Sequence, residues 1–210
     1  MTRSPTPGWT RRLSPLLHLA LAALFAFAAF LPGCQSYDVL VQKDQVTQQK
    51  FADLQAQLQR RADLVPNLVA TVKASAKHEE DTLDEVTKAR AAATSIQVTP
   101  GDLDDPQKMQ AFQDAQNKLS GALSKLLVVN EAYPDLKANA AYHDLQIQLE
   151  GTENRILRAR EEYNAAVSDF NTELGKIRGQ VVNKVTGKPF QPRTYFAAAA
   201  SSQDAPKVSF

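Results

Sequence analysis

From Tyr37 to about Ser95 the chain carries a stripe at helical intervals, with Leu40, Thr47, Phe51, Leu54 and Leu58 stepping by sevens, threes and fours. No glycine interrupts this stretch, and its one proline is Pro66. A proline inside a helix lacks the donor for the preceding turn and crowds that turn's carbonyl. Asp63, three residues earlier, is of a type that caps helix starts. A second helix is therefore predicted to begin near Leu64 and to run through Val72, Ala76, Leu83, Val86 and Ala93. At Arg61–Pro66 the chain either reverses or kinks, and the spacing is compatible with both.

Further on, Thr99-Pro100-Gly101-Asp102 reads as a turn and Asp105-Pro106 as an N-cap followed by a first-turn proline. The third predicted helix carries Met109, Phe112, Gln116, Leu119, Leu123, Leu126, Asn130 and Tyr133, and Pro134 ends it. The last begins at about Asp135 or Asn139 and aligns Leu145, Leu149, Thr152, Ile156, Ala159, Tyr163, Ala166 and Phe170, with a one-position slip to Leu174 and Ile177. Gly187, Pro189 and Pro192 close the ordered region, and residues 197–210 have the composition of a disordered tail. Each stripe is apolar on one side only, so the helices need one another. The expected fold is all-α, an antiparallel four-helix bundle of long helices over residues 34–196.

Residues 1–33 follow a different pattern. Arg11-Arg12 precedes the apolar run Leu13–Leu31, and then come Pro32, Gly33 and Cys34. A basic segment, an apolar segment and a small residue form a secretory signal. Leu31-Pro32-Gly33-Cys34 resembles a lipobox, in which Cys34 becomes the lipidated first residue of the mature chain. The alternative is an uncleaved anchor, because nineteen apolar residues at about 1.5 Å each reach about the 30 Å of a bilayer core. Either way the arginines stay on the cytoplasmic side, and the body is expected outside the cytoplasm.

Charge excludes one class of partner. With Arg3, Arg11 and Arg12 set aside, 21 basic side chains face 23 acidic ones, a net of −2 for the body. No basic surface for nucleic acid is expected. Cys34 is the single cysteine, so the body has no internal disulfide and no thiol nucleophile.

Several charged and amide residues fall on or beside the stripes: Glu79 and Arg90 on the second helix, then Glu153, Arg160, Asn164 and Asn171 on the last. Arg61, Asp63 and Asn67 lie near the Pro66 break and could face them. Charges at such positions cost desolvation unless paired, so the set reads as an interhelical polar network that fixes register, or as a polar groove for a ligand. Other chemistry fails on spacing. His78-Glu79-Glu80-Asp81 has Thr82 where a zinc protease helix needs its second histidine. Glu131, Glu150, Glu153 and Glu161 have no histidine three residues on, as a di-iron bundle requires. Phosphate loops and nucleophile elbows are missing, so no enzyme, metal or cofactor is expected.

With these segments placed, the chain resembles the LemA family of bacterial membrane-associated proteins. The resemblance rests on Arg60-Arg61-Ala62-Asp63-Leu64-Val65-Pro66-Asn67-Leu68-Val69, His78-Glu79, Thr87-Lys88-Ala89-Arg90-Ala91 and Tyr133-Pro134-Asp135-Leu136-Lys137-Ala138-Asn139. It continues through Leu149-Glu150-Gly151-Thr152-Glu153-Asn154-Arg155-Ile156, Ala159-Arg160, Tyr163-Asn164-Ala165-Ala166-Val167, Phe170-Asn171 and Tyr195-Phe196. The resemblance implies four helical segments on an N-terminal membrane anchor and no established enzymatic activity. The tether, the mixed-charge body and the lack of a constellation for chemistry point to a docking role toward other envelope proteins, with a sensing role through the polar stripe as the alternative. This chain departs from the family at Cys34 and at Gly175-Lys176-Ile177-Arg178-Gly179, where members tend to have a Phe-Pro step.

Overall fold

The computed structural model describes residues 15–75, 79–129, 133–185 and 190–197, with most side chains from Tyr37 onward. The described elements are all helical. They are α1 (Pro15–Ser75), α2 (Glu80–Ser95), a 3-10 turn (Pro100–Asp102), α3 (Pro106–Val128), α4 (Pro134–Lys137), α5 (Ala140–Gly175) and α6 (Ile177–Val185). The expected signal or anchor falls mostly outside this description: residues 1–14 lie beyond it, and for 15–36 only helical backbone is given. Among the described residues no helix is long and apolar enough to cross a membrane. The tail from 198 to 210 also lies outside the described residues.

The helix predicted to start near Leu64 does not start there. α1 is one helix of 61 residues, about 90 Å long, and it continues through Pro66 without a break. The hydrogen bond that the proline removes is replaced from another helix. Pro66 cannot donate to the carbonyl of Ala62, and Arg90 Nε of α2 donates to that oxygen instead at 2.7 Å. α1 ends about two and a half turns later, at Ser75, and α2 begins at Glu80.

Other boundaries follow capping chemistry. Asp105 Oδ1 accepts from the amides of Gln107 and Lys108 at 2.9 and 3.1 Å, and starts α3. Thr99 and Asp102 form a reciprocal capping box across the 3-10 turn. Hydrogen bonds from Lys108 and Thr99 hold the Asp102 carboxyl well below the usual carboxylate range. Asn139 Oδ1 accepts from the amides of Ala141 and Tyr142 and starts α5. Two predicted ends move inward. α3 stops at Val128, short of Tyr133, and α5 stops at Gly175, with Lys176 in extended backbone. Ile177 therefore leaves the seam for α6 and is 81% exposed.

α1 and α5 are antiparallel partners: Thr47, Lys50, Gln57 and Arg61 meet Ala166, Glu162, Arg155 and Glu153 in reverse order. α2 packs on α3 and on α1. Three apolar clusters lie along α1 and α5. The one farthest from the N-terminus joins Leu68, Val86, Leu126, Tyr142 and Leu149. The middle one joins Phe51, Leu54, Met109, Phe112, Ile156 and Tyr163. The third, Leu40, Phe170 and Leu174 with Tyr37 and Phe190 against them, lies where α1 continues toward its N-terminal end.

Candidate functional site

Between the first two clusters the core turns polar. Arg61 is only 2% exposed, and its Nη1 donates to Ser120 Oγ at 2.6 Å and to Glu153 Oε1 at 3.0 Å. Its Nη2 donates to Gln116 Oε1 at 2.7 Å and to the Gln116 carbonyl at 3.3 Å. Gln116 Nε2 passes the network on to the Ala93 carbonyl at 3.0 Å. One guanidinium thus ties α1 to α3 and α5, and Gln116 extends the tie to α2. Arg61 Nε is the one buried side-chain polar atom without a partner among the described residues. Glu153 is 43% exposed and looks into a cleft of about 370 Å³ between α3 and α5, also lined by Ser120, Ser124, Glu150 and Asn154.

The remaining residues of the expected network separate into other groups. Arg90 serves the Ala62 carbonyl. Glu79 Oε1 accepts from the Tyr133 hydroxyl at 2.8 Å, which ties the start of α2 to the segment before α4 and raises the Tyr133 pKa by favouring the neutral phenol. Asp63 is exposed and takes a hydrogen bond from Gln59. Asn67 is exposed, and its backbone carbonyl accepts from Thr71. Arg160 is half-buried beside the α5 seam.

Asn164 and Asn171 do not face α1 or α2. They hold the extended segment 190–197, which returns along α5 in the opposite direction. Asn171 donates to the Arg193 carbonyl and accepts from its amide, at 2.9 and 2.8 Å. Asn164 does the same for Phe196, again at 2.9 and 2.8 Å. Asn183 grips both backbone groups of Phe190. From α3, Gln113 donates to the Tyr195 carbonyl and accepts from the Ala197 amide, both at 2.9 Å. Four side-chain amides thereby replace the strand that an extended backbone would otherwise pair with. Phe196, 3% exposed, packs edge-on against Phe112. Arg193 pairs with Asp44 at 2.8 Å. The Tyr163 hydroxyl donates to the Thr194 carbonyl, and burial pushes its pKa well above the usual phenol value.

Residues 190–197 thus return along α5, and Phe196 completes the middle cluster. The sequence places Gln116 on the third stripe but not in the polar network, and it singles out neither Gln113 nor Ser120. A signal existed for Gln116, which sits on the α3 seam between Phe112 and Leu119, where an amide needs a buried partner. Cys34 lies in the helical backbone of α1, but its side chain is outside the described residues, as is His78. Among the described residues no three His, Cys, Asp or Glu side chains gather as metal ligands. What the observed arrangement does is bridge the helices by hydrogen bonds and tie residues 190–197 to α3 and α5.

These features define a class, an all-helical protein on one very long N-terminal helix, with a buried guanidinium layer and an amide-clamped C-terminal arm. Residues 50–210 match the model of the LemA family, and the chain belongs to that family. It is similar to two proteins of Paramagnetospirillum magneticum, magnetosome proteins MamQ 1 and MamQ 2, at 27% identity over 86% of this chain and 71% of theirs. Magnetosome protein MamQ of Magnetospirillum gryphiswaldense is 24% identical, with the same shares of each chain covered.

Proposed function

We propose that this protein is a membrane-tethered, non-enzymatic scaffold or adaptor of the bacterial cell envelope. The N-terminal segment is its anchor, and the four long helices form an antiparallel bundle on the extracytoplasmic side. The observation that carries this reading is the continuity of α1. The helix that begins in the apolar N-terminal segment becomes, without a break, the helix against which α5, α2 and α6 pack. A rigid connection of this kind presents a body at a set height and orientation. Cleavage ahead of Cys34 would leave the same stalk on a lipid; an uncleaved segment would leave it on a membrane helix.

The test has two parts. Fatty-acid labelling of the wild type against Cys34→Ser distinguishes the two anchors. In-membrane cross-linking of the full chain is expected to recover the same envelope protein repeatedly, and to lose it when the anchor segment is expressed alone. Recovery of no reproducible partner overturns the adaptor reading.

A second reading, a small-ligand sensor, is favoured by one observation: the cleft between α3 and α5 is lined by Ser120 and Glu153, the two side chains that accept from the buried Arg61 Nη1. A ligand at that cleft raises the melting temperature of the wild type. The ligand response disappears in Glu153→Ala while the variant still unfolds cooperatively. Loss of fold without any ligand response assigns these residues to structure alone.

A further inference from the structure

We infer that α6 is a second membrane contact, a short basic amphipathic helix that lies on the headgroup layer of an anionic bilayer beside the anchor. The inference rests on the membrane-tethered reading and adds to it a surface and the lipid chemistry that surface fits.

Position comes first. α5 runs antiparallel to α1 and ends beside Leu40, where Phe170 and Leu174 close the third cluster. α6 follows one residue later and packs on both α1 and α5 at that end. Tyr37 is six residues beyond the last residue of the apolar run, about 9 Å along the α1 axis. From Cys34 the distance is shorter still. The headgroup layer adds about 6 Å outside the hydrocarbon on each side. α6 therefore stands at the lipid–water boundary under either anchor.

The exposed face of α6 has the composition that boundary selects. Ile177 and Val181, one helical turn apart, are 81% and 55% exposed, whereas buried apolar residues dominate the seams of α3 and α5. Gly179, on the other face, is buried tightly: an added Cβ would stand 2.5 Å from the Glu173 carbonyl. α6 is thus seated on the end of α5 through Gly179, with its apolar pair turned outward. Charge complements the apolar pair. Between Glu173 and Asp204 the chain has five basic residues, Lys176, Arg178, Lys184, Lys188 and Arg193, and no acid. Lys176 also pairs with Glu173 and Arg193 with Asp44, and the sequence adds Arg178, Lys184 and Lys188 as further basic residues in and just after α6. A helix with basic flanks and a small apolar face partitions into an interface, and each lysine or arginine adds attraction to anionic lipid.

The experiment uses the full chain in vesicles of phosphatidylcholine alone and of phosphatidylcholine with phosphatidylglycerol. Flotation reports tethering, and hydrogen exchange with mass spectrometry reports α6. The chain is expected to float with both vesicles, and residues 177–185 to exchange about tenfold more slowly on the phosphatidylglycerol vesicles. Ile177→Asp with Val181→Asp removes that protection without changing flotation or helix content, because both positions are exposed. Equal exchange on the two vesicles, with the chain floating, overturns the α6 contact and leaves the tether standing. A chain that floats with neither overturns both. Protection that persists in lipid-free detergent and grows with protein concentration assigns the face to a second copy of the chain, and overturns the lipid contact.

Discussion

Arg61 takes a permanent charge into the middle of the molecule and finds four acceptor contacts there, from Ser120, Glu153 and both oxygens of Gln116. Its planar fork suits that task, since three partners on two helices can be met at once. Removing it strands Gln116 and the Glu153 carboxylate. Arg61→Ala is expected to lower unfolding free energy by about 3 kcal/mol or more. Glu153→Ala should cost about 1 kcal/mol, because its carboxyl is partly solvated and Ser120 and Gln116 still hold the guanidinium. Urea denaturation followed by circular dichroism checks both, and equal losses would contradict this asymmetry. The residue types were readable in the sequence, for a charge on a stripe has to be answered. Which residue answers it was not readable. Arg61 lies 92 positions from Glu153 and 55 from Gln116, and only the tertiary fold brings α3 and α5 within its reach.

Among the elements, α1 depends on a partner helix to survive its own proline. The Ala62 carbonyl accepts from Arg90 Nε where an amide donor would otherwise be. Arg90→Ala is expected to cost about 1–2 kcal/mol, by leaving that oxygen unpaired. Pro66→Ala restores the backbone donor, so in that background the same Arg90→Ala substitution should cost much less. A double-mutant cycle measures the coupling, and additive effects would show that the two residues act separately. Local sequence predicts a boundary at Pro66, and the forecast fails because the compensating donor comes from 24 residues downstream. The C-terminal arm behaves similarly. Phe196→Ala empties a buried aromatic site and should cost about 3 kcal/mol. Asn164→Ala, which breaks both backbone bonds to Phe196, should release 190–197 to limited proteolysis while the helices stay intact. An arm equally resistant in Asn164→Ala would show that Phe196 alone holds it.

At the scale of the whole molecule, α1 and α5 run past all three apolar clusters, so no cluster can loosen without disturbing the same helix pair. The described body should unfold in one cooperative step. Tyr142 and Tyr163 lie in different clusters, and near-ultraviolet signals from the two should melt together with helix content. Separate transitions in single-tyrosine variants would reveal independent halves. The same long pair carries the proposed role, because a body rigidly joined to its anchor helix holds its faces at a constant height above the membrane.

By itself the sequence determined the helical class, the long stripes, the cap at Asp105, and membership in the LemA family. These depend on intervals of three and four residues and on local capping, which adjacent positions encode. Tertiary structure alone decided that α1 passes through Pro66, that Arg61 meets Gln116 and Ser120, and that Asn164 and Asn171 hold the returning arm rather than face α1. In each case a polar group left open by one segment is satisfied by another far along the chain. Such pairings are settled by which helices lie side by side, and periodicity carries no record of that.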